Sequence, residues 1–310
     1  MFKQLLMAGA ALALVSGSAA AKDLNSIGIT LGSLGNPFFV ALSQGAEAQA
    51  KAINPNVKVN TASADYDLNK QFTQIDNFIA AGVDLILLNP GDSKAIGPAI
   101  KKAQEAGIVV VAVDAAAEGA DATVMTNNVQ AGEIACQFIV DKLGEAGGKV
   151  IIQNGPQVGA VVDRVKGCKE VLAKNPKIEI LSDDQDGKGS REGGLTIMQG
   201  HLTRFPQVDA VFTINDPQAV GSDLAAKQLG RSEFFITSVD GAPDIETALK
   251  GNTLVQASAS QDPYKIAQTA VEVGYKIMNG ETPAEPMILL PSELITRDNV
   301  GDYKGWSAPR

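Results

Sequence analysis

Continuous apolar runs separated by amphipathic stretches repeat along most of the chain. Runs such as Leu85-Ile86-Leu87-Leu88 and Val109-Val110-Val111 show no polar alternation, the pattern of a parallel strand covered on both faces. On this criterion strands are predicted at Ser26–Leu31, Val57–Ala62, Val83–Asn89, Ile108–Asp114 and Thr123–Thr126. A second set is predicted at Lys149–Asn154, Ile178–Leu181, Ala210–Asn215, Phe234–Asp240 and Leu254–Ala259. Between them, Phe38–Ile53, Lys70–Ala81, Ser93–Ala106 and Pro217–Leu229 read as amphipathic helices, each closing near a Gly or Asn, as helix C-termini commonly do. Strand alternating with helix is a βαβ series, and the fold class is therefore α/β, doubly wound.

The series is duplicated. The strand–loop–helix of residues 26–53 has a counterpart at 149–174, and each opens its own run of β/α units. Two similar domains are expected, which suits a chain of 310 residues better than one core. Thr126-Asn127-Asn128 is the expected crossover. A late helix at Asp262–Asn279 and a late strand at Met287–Leu290 imply that the chain crosses between domains more than once.

The N-terminal stretch departs from this pattern. Lys3 precedes an apolar run from Leu5 to Val15, which Ser16-Gly17-Ser18 breaks before Ala19-Ala20-Ala21. That is the layout of a secretory signal peptide, residues 1–21, with cleavage before Lys22; the run is short for a membrane anchor. No cysteine stands near the cleavage point to carry a lipid, and no later segment is long and apolar enough to span a bilayer. A freely diffusing, exported protein is expected, which suits a periplasm. The formal net charge of -9 argues against nucleic-acid partners, which require basic patches. Cys136 and Cys168 are the two cysteines. They are readable as two buried small residues or, in an oxidising compartment, as a disulfide; the disulfide is expected, because both lie on helices covering one sheet face.

Ligands of open α/β sheets bind beyond the carboxyl ends of the strands. There the sequence places Asn36, Phe38 and Phe39 after the first strand, Asn89 after the third and Asp114 at the end of the fourth. Asn127 and Asn128 occupy the crossover. In the second half come Arg164, Asn215 with Asp216, Asp240 and Gln261. Carboxylates accept, amides both donate and accept, and Arg donates, a set suited to a ligand rich in hydroxyls. A phosphate or carboxylate ligand would call for more cations. Each Asn or Asp is alternatively a turn former or helix cap, and one of the two Phe is expected to be core. Catalytic signatures are missing. His201, the single histidine, is expected at the surface, and no Walker A, GxGxxG or zinc spacing occurs. Asp65, Asp67, Asn69 and Asp76 have calcium-loop spacing, but Lys70 stands where that loop needs Gly. Asp67 is read as a helix cap, and neither metal nor cofactor is expected.

Taken together, Asn36-Pro37-Phe38-Phe39, Leu88-Asn89-Pro90 with Asp92-Ser93, Asn215-Asp216 with Ala219 and Gly221, Val239-Asp240-Gly241 with Pro243-Asp244, and Gln261 with Pro263 resemble the type I periplasmic sugar-binding proteins of the ribose-binding group. The match runs in order along the mature chain. The resemblance implies two Rossmann-like lobes joined by a three-crossing hinge, with residues 22–126 and 262–288 in the N-terminal lobe and 127–261 and 289–310 in the C-terminal one. It implies a monosaccharide or polyol held by Asn36, Phe38, Phe39, Asn89, Asp114, Arg164, Asn215, Asp240 and Gln261. It also implies a monomer that delivers its ligand to the permease of an ABC transporter. Ala115, Val239 and Gly189 replace an arginine and two rings of the ribose pattern, which opens the choice to a ketose, another monosaccharide or a sugar alcohol. A chemoreceptor or sensor-kinase receptor of the same fold is the alternative. An exported sugar enzyme lacks its nucleophile–base pair, and a sugar-responsive repressor lacks its helix-turn-helix.

Overall fold

The computed structural model describes residues 22–308; the expected signal peptide lies outside the described residues. In chain order the elements are β1 (Ser26–Leu31), α1 (Pro37–Ile53), β2 (Lys58–Ser63), α2 (Leu68–Ala81), β3 (Leu85–Leu88), α3 (Gly97–Glu105), β4 (Val109–Val113) and β5 (Ala122–Thr126). Then follow α4 (Asn128–Leu143), β6 (Gly148–Gln153), α5 (Gly159–Leu172), β7 (Ile178–Ser182), α6 (Arg191–Arg204), β8 (Ala210–Thr213) and α7 (Asp216–Leu229). The chain continues through β9 (Phe235–Asp240), α8 (Pro243–Lys250), β10 (Val255–Ser260), α9 (Pro263–Met278), β11 (Met287–Leu290) and β12 (Glu293–Thr296).

These strands form two six-stranded sheets, ordered β11-β5-β4-β3-β1-β2 and β12-β10-β9-β8-β6-β7. The first is parallel throughout. The second is parallel except for β12, which runs antiparallel to β10. The sequence reading has no strand at β12. Its four residues form an edge with two partly exposed positions and one exposed one, too short and too weakly apolar to register as a covered strand. The two sheets repeat one order, so β1, β3 and β4 are the counterparts of β6, β8 and β9. In each sheet one central strand, β3 or β8, is wholly buried between helices on both faces.

Three passages link the sheets. The chain leaves the first after Thr126 and returns after Ser260 to lay α9 against α1 and β3–β5. It crosses again after Leu290, since β11 pairs with β5 through that residue; the changeover expected at 288 falls inside this strand. Hydrophobic packing follows the same division, with Ile27, Leu42, Leu87 and Ile266 in one cluster and Val150, Phe212 and Cys168 in another. His201 corrects the expectation of a surface residue. It is 4% exposed and stacks on Phe205 with ring centroids 6.0 Å apart, because the weakly amphipathic α6 turns this face inward.

α4 and α5 approach closely. A Cβ on Gly132 would come 2.0 Å from the Arg164 carbonyl oxygen, and one on Gly167 2.0 Å from that of Val129; only glycine permits this contact at either point. Cys136 and Cys168 face each other across it, with sulfurs 2.00 Å and Cα atoms 5.1 Å apart. The same approach brings the N-terminal turns of both helices to the mouth between the sheets. Among the described residues no helix is long and apolar enough to cross a membrane.

Candidate functional site: the cleft between two lobes

A cleft of about 1110 Å³ lies between the carboxyl ends of the two sheets, with both lobes in its lining. Eight of the nine residues expected at the site line it: Asn36, Phe38, Phe39, Asp114, Arg164, Asn215, Asp240 and Gln261. Asn89 does not. It is 7% exposed, and its amide Nδ2 donates to the Val113 carbonyl (3.2 Å) and to Asp114 Oδ2 (3.3 Å). It holds the carboxylate from behind.

Two of the expected residues are also helix caps. Asn36 Oδ1 accepts from the Phe38 amide at 3.0 Å, with Pro37 opening α1. Asn215 Oδ1 accepts from the Gln218 amide at 3.2 Å, while its Nδ2 donates to the Gly189 carbonyl at 2.9 Å. Capping fixes the first turn of each helix and so fixes the polar edge each presents. Asp67 caps α2 by accepting from the Asn69 and Lys70 amides, as read from its spacing. Among the described residues no group of three His, Cys, Asp or Glu is placed to hold a metal.

Phe38 and Phe39 are both buried and both reach the cleft, with their rings edge to face at 5.4 Å. One of the two is expected to be core; both belong to the buried apolar cluster of the first lobe and both line the cleft, at the start of α1. Tyr66, Met287 and Trp306 are among the lining residues that the sequence reading did not assign to the site. Tyr66 is 64% exposed and lies edge-on to Phe39; a tyrosine in a loop carries no periodic signal. Trp306, 6% exposed, joins Phe38 at 5.3 Å from a segment with no repeat to predict its return.

Asp114 and Asp240 end the equivalent strands β4 and β9. Both take positive φ, 66° and 136°, values that L side chains adopt at a cost and that gather at functional sites. The backbone there turns each carboxylate into the cleft. Arg164 stands beside Asp240. Its Nε donates to Asn128 Oδ1 (2.9 Å), and its Nη1 donates to the Ile214 carbonyl (2.8 Å) and to Asp240 Oδ1 (3.1 Å). Gln261 Nε2 donates to that same oxygen at 2.8 Å, and Gln261 Oε1 accepts from Thr126 Oγ1 at 2.8 Å. Behind them Asp216 accepts from the Ser238 and Ser258 hydroxyls at 2.5 and 2.7 Å and from the Ala242 amide at 2.8 Å.

Burial raises the proton affinity of all three carboxyls. Asp114 is pushed up to about 6, against the pull of Arg164. Asp216 rises to about 8, through burial and then the charge of Asp240. Asp240 is raised by burial, which outweighs the opposing effect of Arg164. Asp114 of one lobe and Arg164 and Asp240 of the other line the same cleft. The site thus offers one buried guanidinium among three carboxyls, surrounded by amides and rings.

Residues 27–282 match the family model described as the periplasmic binding protein domain. The chain belongs to this family. As a periplasmic binding protein it belongs with proteins that hold solutes rather than transform them. It is 34% identical to a ribose import binding protein of Salmonella typhimurium, over 89% of this chain and 92% of that one. It is 31% identical to a xylitol-binding protein of Mycolicibacterium smegmatis, over 91% and 80%. Among solved structures it is similar to an ABC transporter solute-binding protein from Bacillus halodurans with bound myo-inositol, at a TM-score of 0.78 and 25% identity, over 90% of this chain and 97% of that one. The two-lobed α/β class read from the sequence and the resemblance to the ribose-binding group both stand.

Proposed function

We propose that this periplasmic binding protein captures an uncharged monosaccharide or sugar alcohol in its cleft and hands it to an ABC permease. The observation that carries this reading is the charge balance of the site. Arg164 lines the cleft together with Asp114, Asp216 and Asp240, and it is already bonded to Asp240. Arg191, the other guanidinium in the lining, is paired with Asp244 at 2.6 Å. Neither is left as a counter-charge for an anion. Ligand hydroxyls, in contrast, can donate to Asp114 and Asp240 and accept from the amides and from Arg164 Nη2, while a sugar's C–H face meets Phe38 and Phe39. Asn36, Asn215 and Gln261 are assigned to the ligand on the same grounds, and Asn89 to the support of Asp114. The ligands named for the relatives (ribose, xylitol and myo-inositol) are all of this class, and all are candidates here.

On this reading residues 1–21 are removed on export, Cys136 and Cys168 are bonded in the oxidising compartment, and the mature protein works as a monomer. The lobes comprise 22–126 with 262–290 and 127–261 with the residues after 290, and they close on the ligand. A thermal-shift screen of pentoses, hexoses, ketoses and polyols tests the proposal, because a ligand that binds the folded state raises the melting temperature by mass action. One or more neutral members should do so, and should also shrink the radius of gyration in small-angle scattering. A screen in which no sugar or polyol shifts melting would refute the reading.

A further inference from the structure

We infer that Trp306 is a positioning residue of the ligand site, a ring carried by the segment after β12 that straps the two lobes together and sets the angle of Phe38. The inference rests on the binding role proposed above but concerns a residue outside the strand-end set.

The segment is fastened first to the second lobe. Tyr303 donates its hydroxyl to the Gly241 carbonyl at 3.0 Å, one residue from Asp240. Gly305 lies against Glu246 of α8, where a Cβ would meet the carboxylate at 1.9 Å. The next residue then leaves that lobe. Trp306 belongs to the apolar cluster of the first lobe, with Phe38, Phe39, Leu42 and Ile266, and Ala242 of the β9–α8 loop packs on the same cluster. Its ring meets Phe38 edge to face at 5.3 Å and 79°, an arrangement that holds the angle of both rings.

The indole nitrogen has a buried bond of its own. Nε1 donates to the Gln261 carbonyl at 3.0 Å, the residue at the second passage between lobes. The side chain of that glutamine bonds Asp240 and Thr126. One indole therefore touches a ligand-facing ring of the first lobe and the peptide of a hinge residue whose side chain reaches the second lobe's carboxylate. A buried Trp with its donor satisfied is rigid. Any change in the angle between the lobes must move this ring relative to Phe38 or relative to Gln261.

Trp306 is also the single tryptophan of the chain, so its emission reports this point alone. The test has a ligand-free arm and a ligand arm. Without ligand, Trp306→Leu keeps apolar bulk and loses the ring and donor; small-angle scattering should show a larger radius of gyration than the wild type, with Trp306→Phe in between. A Trp306→Leu profile equal to the wild type overturns the strap, whatever the ligand proves to be. With ligand, ribose, xylitol and myo-inositol are titrated into the wild type. Any that binds by calorimetry should shift the tryptophan emission, and its affinity should fall about tenfold in Trp306→Leu and be largely restored in Trp306→Phe. Measured heat with unchanged emission, or unchanged affinity in Trp306→Leu, refutes the positioning role. If none of the three binds, the proposed ligand class is in question and the ligand-free arm alone decides the strap.

Discussion

On the first lobe the end of β4 presents Asp114, whose one side-chain partner among the described residues is Asn89 at 3.3 Å, beside the rings of Phe38 and Phe39. On the second, the equivalent end of β9 presents Asp240, whose Oδ1 already accepts from Arg164 and Gln261, with Asp216 held behind by two serines and an amide. The sheets repeat one strand order and both aspartates have positive φ, yet one carboxylate has a single side-chain hydrogen-bond partner among the described residues and the other is built into a network. In the proposed site the same position of a duplicated fold serves as a capture group in one lobe and as a pre-ordered frame in the other. Satisfied buried networks rigidify their surroundings, so the second wall is set before ligand arrives, while the first contributes rings and a single open acceptor.

Breaking the frame should have the largest effect. Arg164→Met leaves Asp240 buried without its counter-charge and frees the Asn128 and Ile214 oxygens; loss of one partner of a buried pair costs about 3–5 kcal/mol. Urea unfolding should show this, together with loss of ligand binding. A variant as stable as the wild type would mean that the network is not the frame described.

Asp114→Ala should behave differently. Charged groups bonded to ligand contribute about 1.5–3 kcal/mol, an affinity loss of roughly 10- to 150-fold. Its unfolding free energy at neutral pH should be unchanged or higher, since burial already disfavours its charge. Calorimetry and unfolding on the same sample separate the two. A loss of stability matching that of Arg164→Met would erase the distinction between the walls.

The third test uses pH. Asp216 binds its proton more tightly folded, near 8, than the ordinary 3.8 of an unfolded chain, and Asp114 does so to about 6. The folded state therefore holds more protons in this window, and these groups' contribution to stability is complete below about pH 4 and lost as pH rises towards 8. Asp216→Asn should flatten the upper part of that decline, and an unaltered pH–stability profile would contradict the burial assigned to it.

Asn89→Ala should have the smallest effect, a few-fold loss of affinity, since one neutral hydrogen bond contributes about 0.5–1.5 kcal/mol. It should act through Asp114. That carboxyl's pKa, held down by the Asn89 amide, should move above 6, so that binding weakens at a higher pH than in the wild type. An unshifted pH profile would make Asn89 a structural residue only.

Much of this was legible in the sequence because parallel strands and their end residues leave local marks. Leu85-Ile86-Leu87-Leu88 reads as a covered strand, and the polar residues that follow or close β4, β8 and β9, Asp114, Asn215 and Asp240, fall at the cleft by topology. What escaped depends on tertiary return. Nothing around Trp306 predicts that it packs on Phe38, and β12 is recognisable only beside β10. The inward turn of His201 has no periodic mark in a helix whose apolar face is weak. Asn89 was placed at the correct strand end, but its direction depends on the carbonyl of Val113, a neighbour 24 residues away.

The central claim is that an acceptor-rich, cation-poor cleft selects an uncharged polyhydroxyl ligand. Calorimetric titration with matched pairs (ribose and ribose 5-phosphate, xylitol and xylonate, and the pair for whichever sugar the thermal screen selects) tests it most directly. At least one neutral member should bind and its anionic partner should not, because both guanidiniums that line the cleft among the described residues are already paired with carboxylates. Tighter binding of an anionic member, or no heat with any neutral sugar or polyol, would contradict the account.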